Sequence, residues 1–141
     1  MSAMDLDIFG NTLQKTHLWL TDLMQELEWD DRRKAYLALR AVLHTLRDRL
    51  TVEEAAHLGA QLPMLIRGFY YEGWDPSGKP VKERHRDDFL VHIKGYFKHD
   101  EGVIPEKITR AVFKLLTRRI TEGEIEDVKQ VLPTELRGLW F

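Results

Sequence analysis

The second half of this chain repeats the first half at a spacing of 70 residues. Without a gap, residues 35–71 align with residues 105–141, and 11 of the 37 pairs are identical. The identical pairs are Arg40/Arg110, Ala41/Ala111, Val42/Val112, Leu46/Leu116, Arg49/Arg119, Thr51/Thr121, Glu54/Glu124, Leu62/Leu132, Pro63/Pro133, Arg67/Arg137 and Gly68/Gly138. A repeat of this length has to fold twice into the same local structure, so it limits the fold more than any other feature of the sequence.

The repeat extends weakly upstream, where Trp19 pairs with Phe89 and Leu23 pairs with Ile93. The two units therefore span residues 16–71 and 86–141. The segment 72–85 between them is rich in glycine and proline near its start, which predicts a linker. Because a lone unit of this size would be only marginally stable, we expect one domain over residues 1–141, with the units packed around a pseudo-twofold axis.

Apolar residues in each unit recur every three or four positions, as they do on one face of an α-helix. The clearest stripes are Leu20–Leu23–Leu27, Leu39–Val42–Leu46–Leu50 and Ile108–Ala111–Val112–Leu115–Leu116. Both units then carry Thr-x-x-Glu, the capping box that begins a helix, and both are interrupted later by Leu-Pro. The pattern predicts an all-α fold made from a tandem four-helix unit, with about eight helices in total.

Several segments resemble the bacterial domain of unknown function 2267 family. In the first unit they are residues 41–51 (AVLHTLRDRLT), 60–63 (AQLP) and 73–74 (GW), and in the second they are residues 111–116 (AVFKLL) and 131–137 (VLPTELR). The resemblance covers residues 16–140. It implies an all-helical prokaryotic protein, and it brings no catalytic residue because no activity is established for the family.

Composition excludes several classes of chemistry. The chain has no cysteine, which excludes disulfides and thiolate metal sites, and neither of its two serines lies in a G-x-S-x-G motif. Residues 1–31 carry one Lys and seven acids, whereas residues 32–51 carry six bases and one acid. We expect these segments to neutralise each other in a hairpin, which argues against nucleic-acid binding. The acidic start and the lack of a long apolar run predict a cytoplasmic protein without membrane contact.

Two motifs come close to known sites without completing them. Residues 73–80 read G-x-x-x-x-G-K-P, so proline stands where a phosphate-binding loop has Ser or Thr. Glu54-x-x-His57 matches one element of a di-iron site, but the second unit has Glu124-x-x-Asp127. We therefore predict no catalytic, cofactor-binding or metal-ligating residue, and we assign Glu54 to helix capping.

Two sets of residues remain as candidates for binding. Aromatic residues gather at equivalent ends of the two units: Phe69, Tyr70, Tyr71 and Trp74 in the first, Trp140 and Phe141 in the second. They would form a core between the units or, if exposed, an interface with a partner or a second copy. Arg67 and Arg137 would form a repeated structural contact or bind an anion.

These features favour a non-enzymatic protein-interaction or self-association module, whose partner is another protein or a second copy of the chain. The alternative is a binder of a small molecule or an anion, or an enzyme, with its site between the two repeats.

Overall fold

The computed structural model describes the chain from Ala3 to Trp140, and the side chains from Asp7 onward. All regular structure in this range is helical, which confirms the predicted all-α class. The eight α-helices are α1 Ala3–Leu27, α2 Arg32–Arg47, α3 Val52–Gln61, α4 Met64–Tyr71, α5 Arg86–Gly95, α6 Pro105–Arg119, α7 Glu122–Val131 and α8 Thr134–Arg137, followed by a 3₁₀ turn at Gly138–Trp140. Over the same residues, none of the helices combines the length and apolar character that crossing a membrane requires.

Helices α3 and α7 begin as their sequences predict. The hydroxyl of Thr51 accepts a hydrogen bond from the Glu54 amide at 3.1 Å, and that of Thr121 accepts one from the Glu124 amide at 3.3 Å. Each bond satisfies an amide that has no partner within its own helix. The bounds of α3 and α7 lie 70 residues apart at both ends. Pro63 and Pro133 then occupy the N-cap positions of α4 and α8.

Helix α1 is longer than the repeat requires. It begins at Ala3, upstream of Thr16, where the repeat unit starts. From Asp7 to Lys15 nearly every side chain is exposed, whereas Trp19, Leu20 and Leu23 in the second half are buried. The second half therefore belongs to the core, and the first half projects beyond it.

The buried apolar side chains form one connected cluster. Helix α1 packs on α2, α4 and α6, helix α2 also packs on α5 and α6, and α3 packs on α7. Fully burying a side chain such as Leu43 or Phe113 contributes about 1.5–3 kcal/mol.

Acidic residues of α1 pair with α6, although the sequence suggested the basic start of α2 as their partner. Asp22 accepts two hydrogen bonds from Arg119, at 2.9 and 2.5 Å, and Glu26 lies 2.7 Å from Lys114. The reason is geometric, because α1 packs against both helices and turns these carboxylates toward α6.

Candidate functional site

The aromatic residues of the first unit lie in or against the core. Tyr70 is fully buried, and its hydroxyl donates to the Ala55 carbonyl at 2.7 Å. Phe69 is 8% exposed and meets the Tyr36 ring edge-on, with centroids 5.2 Å apart. Tyr71 and Trp74 are half-buried.

The aromatic end of the second unit is arranged similarly. Trp140 is half-buried and stacks on Phe113, with ring centroids 4.1 Å apart. Phe141, the last member of the predicted interface, lies outside the described residues. Tyr71, Trp74 and Trp140 keep exposed edges that a partner could touch, so their role in an interface stays a prediction.

Arg67 and Arg137 both complete the carboxyl end of the preceding helix. Arg67 donates to the carbonyls of Gly59 at 2.9 Å, Ala60 at 3.3 Å and Leu62 at 2.9 Å. Arg137 donates to Leu132 at 3.1 Å and Gln130 at 3.3 Å. These carbonyls lie at the carboxyl ends of α3 and α7, where partial negative charge gathers that a guanidinium neutralises. Anion binding by this pair stays a prediction, to which the carbonyl contacts add no support.

A cavity between α1 and α6 is formed by other residues. Its volume is about 500 Å³, and its charged lining comes from Glu26, Glu28, Lys107, Arg110 and Lys114. Neither Arg67 nor Arg137 contributes to it. The two acids come from the end of α1 and the turn after it, the three bases come from α6, and Glu26 already pairs with Lys114.

An apolar groove lies between the projecting half of α1 and helix α4. It encloses about 650 Å³, and its lining is Phe9, Thr12, Thr16, Tyr36, Met64, Leu65, Gly68, Phe69 and Glu72. Phe9 is 59% exposed, Met64 55% and Leu65 44%. One wall comes from α1 and the other mainly from α4. The Thr12 hydroxyl on α1 accepts a hydrogen bond from the Leu65 amide on α4 at 3.0 Å. We call this surface the α1–α4 groove.

A second groove of about 640 Å³ lies at the corresponding place in the other half of the chain. Its lining is His85, Arg86, Asp87, Asp88, Thr134, Glu135 and Gly138. The positions of Met64 and Leu65 are taken there by Thr134 and Glu135, at the same spacing of 70 residues. Two grooves of similar size therefore differ in chemistry, and only that of the first half is apolar.

A pair of carboxylates lies where α3 packs against α7. Glu54 and Glu124 are 8% and 9% exposed, and burial raises the pKa of Glu124 to about 8, together with a hydrogen bond and charge repulsion from Glu54. One oxygen of each group, Oε1 of Glu54 and Oε2 of Glu124, is buried without a hydrogen-bond partner among the described residues. Neither of these two oxygens accepts a hydrogen bond from the amide of its capping threonine. In each capping box the bond that is formed is the one from the glutamate amide to the threonine hydroxyl.

His57 lies at the solvent side of this carboxylate pair. Its Nδ1 is 3.7 Å from Oε2 of Glu54, and one ligand atom from each of Glu54, His57 and Glu124 lies within 4.8 Å of the other two. The ring is 55% exposed, so the cluster opens to water. In the part of the chain that the structure describes, this is the one group of three such residues close enough to hold a metal ion.

Comparison with protein families settles the family. A family model described as "Uncharacterized conserved protein (DUF2267)" matches residues 16–139. The chain belongs to the DUF2267 family. The resemblance inferred from the sequence is thereby confirmed, while the comparison with curated proteins finds no match.

The DUF2267 match includes the carboxylate cluster but only part of the α1–α4 groove. Glu54, His57 and Glu124 all lie within residues 16–139, as does helix α4. Phe9 and Thr12 precede the matched range. Phe9 and Thr12 are therefore features of this chain beyond the DUF2267 match, whereas Thr16, the third residue of the α1 wall, lies within it.

Proposed function

We propose that this chain is a non-enzymatic self-association module whose two copies meet through the α1–α4 groove. The observation that carries the proposal is the contrast between the two grooves. Met64 and Leu65 are apolar and half-exposed, while Thr134 and Glu135 at the corresponding positions are polar. Glu135 accepts a hydrogen bond from the Arg86 amide at the start of α5 at 2.9 Å, whereas α1 continues past the corresponding place in the first half. An apolar pair left half-exposed beside that helix is typical of an interaction surface.

The proposal takes the chain to be a tandem pair of four-helix units, one domain with pseudo-twofold symmetry. The packing of the helices supports this. In the repeat α1 corresponds to α5 and α2 corresponds to α6, and α1 packs on α6 just as α5 packs on α2. The matched bounds of α3 and α7 support it as well. Under this arrangement the α1–α4 groove is the place where the two units differ in function.

A second copy is the occupant that fits the α1 wall. Phe9 and Leu13 lie on the same helix face as Leu20, Leu23 and Leu27, with Thr16 between the two groups, but they are 59% and 50% exposed. An apolar stripe of this kind is covered by another helix that carries a similar stripe. The projecting half of α1 is such a helix, and a twofold contact lets it enter the groove of its partner while the partner's α1 enters its own.

The size of the expected effect follows from the exposed fractions. Completing the burial of a half-exposed Met or Leu contributes about 1 kcal/mol. Met64 and Leu65 each occur twice in a symmetric dimer, so the pair contributes about 4 kcal/mol. Removing it should weaken the dimer about a thousandfold in Kd.

The test is the double variant Met64→Thr/Leu65→Glu, which copies the residues found at 134 and 135. Sedimentation equilibrium should show a dimer for the wild type and a monomer for the variant, with thermal unfolding of the monomer nearly unchanged. Val91→Thr removes a 69% exposed apolar side chain on α5 and should leave the dimer intact. A wild type that stays monomeric up to its solubility limit, or a double variant that dimerises as strongly, would refute the proposal.

For localisation and for other partners we keep the expectations drawn from the sequence. A bacterial cytoplasmic protein that does not bind nucleic acid is consistent with this proposal. Its acids and bases neutralise each other across α1 and α6, as in the pair formed by Asp22 and Arg119.

A further inference from the structure

The buried carboxylates of Glu54 and Glu124 lack partners for part of their hydrogen-bonding capacity. Glu54 and Glu124 are 8% and 9% exposed as residues, and each has one fully buried oxygen with no partner within the described part of the chain. A proton shared between the two groups satisfies one oxygen of each and neutralises a single charge. A buried carboxylate oxygen without a partner is costly, so this arrangement leaves an unmet requirement for positive charge.

A divalent cation meets this requirement more completely than a proton does. Two positive charges neutralise both carboxylates, and each carboxylate offers one oxygen as a ligand. His57 adds a nitrogen ligand at the open side, with its Nδ1 3.7 Å from Oε2 of Glu54. Ligands of a tetrahedral ion with bonds of about 2.1 Å lie about 3.4 Å apart, so the cluster needs shifts of under about 1 Å at each atom.

We propose that Glu54, His57 and Glu124 form a binding site for a first-row divalent transition metal of the zinc type, held between α3 and α7. The ligand set decides the class of metal. One imidazole with two carboxylates suits zinc and its neighbours, whereas calcium and magnesium take oxygen ligands only. Because the His57 ring is 55% exposed, the remaining coordination positions face water.

The site would connect the two halves of the chain, since Glu54 and His57 come from α3 and Glu124 comes from α7. At the position corresponding to His57, α7 carries Asp127, and its charge contributes to the raised pKa of Glu124. The local field at this place is therefore negative on both helices, which attracts a cation from solution.

Isothermal titration of the untagged, chelator-treated full chain with zinc chloride tests the site. We expect one zinc ion per chain, a rise in the midpoint of thermal unfolding, and little competition from excess magnesium. His57→Ala and Glu124→Gln should each weaken zinc binding by more than about tenfold, because removing a residue that only hydrogen-bonds to a metal ligand already causes a loss of this size. Circular dichroism should confirm that both variants fold.

His92→Ala is the matched control, because His92 is also an exposed helical histidine beside a glutamate, with Nε2 3.2 Å from Oε1 of Glu83. It should bind zinc as the wild type does. X-ray absorption at the zinc edge should show the multiple-scattering signal of one imidazole ring in the wild type and its loss in His57→Ala. The assignment is overturned if zinc does not bind, if His57→Ala and Glu124→Gln bind it as well as the wild type, or if His92→Ala is the variant that loses it. The zinc titration gives its answer whether or not the chain dimerises, so failure of the metal site and failure of the proposed dimer can be told apart.

Discussion

Replacing Gly59 by alanine should destabilise the protein, although a glycine-to-alanine change inside a helix normally stabilises it by about 0.5–1 kcal/mol. Gly59 lies in α3 and faces the ring of Tyr71. A Cβ at Gly59 would lie 2.7 Å from Cζ of Tyr71, far inside the 3.5–4.0 Å at which carbon atoms attract each other. The ring therefore has to move.

The size of the loss follows from the contacts of that ring. Tyr71 meets Tyr70 with centroids 4.9 Å apart and Trp74 with centroids 5.4 Å apart. Aromatic pairs of this kind contribute about 0.5–1.5 kcal/mol each, so displacing the ring costs about 1–3 kcal/mol. After subtracting the usual gain from alanine, we expect Gly59→Ala to lower the free energy of unfolding by about 1 kcal/mol.

Urea unfolding followed by circular dichroism measures this change. Gly68→Ala is the matched control, because Gly68 is also helical and a Cβ there would meet nothing within 4 Å. It should stabilise the protein by about 0.4–1 kcal/mol. In a Tyr71→Ala background, Gly59→Ala should become stabilising too. If Gly59→Ala stabilises the wild-type protein as much as Gly68→Ala does, the contact with Tyr71 is not what requires glycine.

Two further predictions concern buried polar contacts. Arg67→Ala should lower the free energy of unfolding by about 1–2 kcal/mol, because three carbonyls at the end of α3 lose a charged donor. Arg67→Lys should restore little of the lost stability, since an ammonium group cannot reach the three carbonyls as the planar guanidinium does. Urea unfolding measures both variants. Burial lowers the pKa of His44, whose Nε2 donates to the Phe69 carbonyl at 2.6 Å. Below pH about 6.5 the unfolded chain therefore binds a proton that the folded chain does not, and the free energy of unfolding should fall by up to about 1.4 kcal/mol per pH unit. His44→Gln keeps a donor and should lose that part of the slope in urea unfolding measured between about pH 7 and pH 5; an equal slope in both proteins would contradict this assignment.

Local signals in the sequence predicted the helices well. Thr51 and Thr121 begin α3 and α7 as capping residues, and Pro63 and Pro133 separate them from the helices that follow. These features act over a few residues, so a linear pattern contains them completely. Residues 3–15 lie outside the repeat, so its pattern could not predict the projecting half of α1.

The candidate sites depended on contacts that the sequence does not contain. The repeat pairs Glu54 with Glu124 by identity, but an identity of two positions says nothing about the distance between them. Each glutamate alone was fully explained as a capping residue, so the missing information was the packing of α3 on α7. The α1–α4 groove could have been suspected from the exchange of Met64 and Leu65 for Thr134 and Glu135, which is visible in the aligned repeat.

The packing of α1 on α6 also has a consequence for synthesis on the ribosome. Asp22 is joined to Arg119, which follows it 97 residues later in the chain. At a synthesis rate of about 5–20 residues per second, Arg119 is added roughly 5–20 s after Asp22. During this interval the face of α1 that later meets α6 remains open to chaperones and to neighbouring nascent chains, and the final structure can close only after α6 has been made.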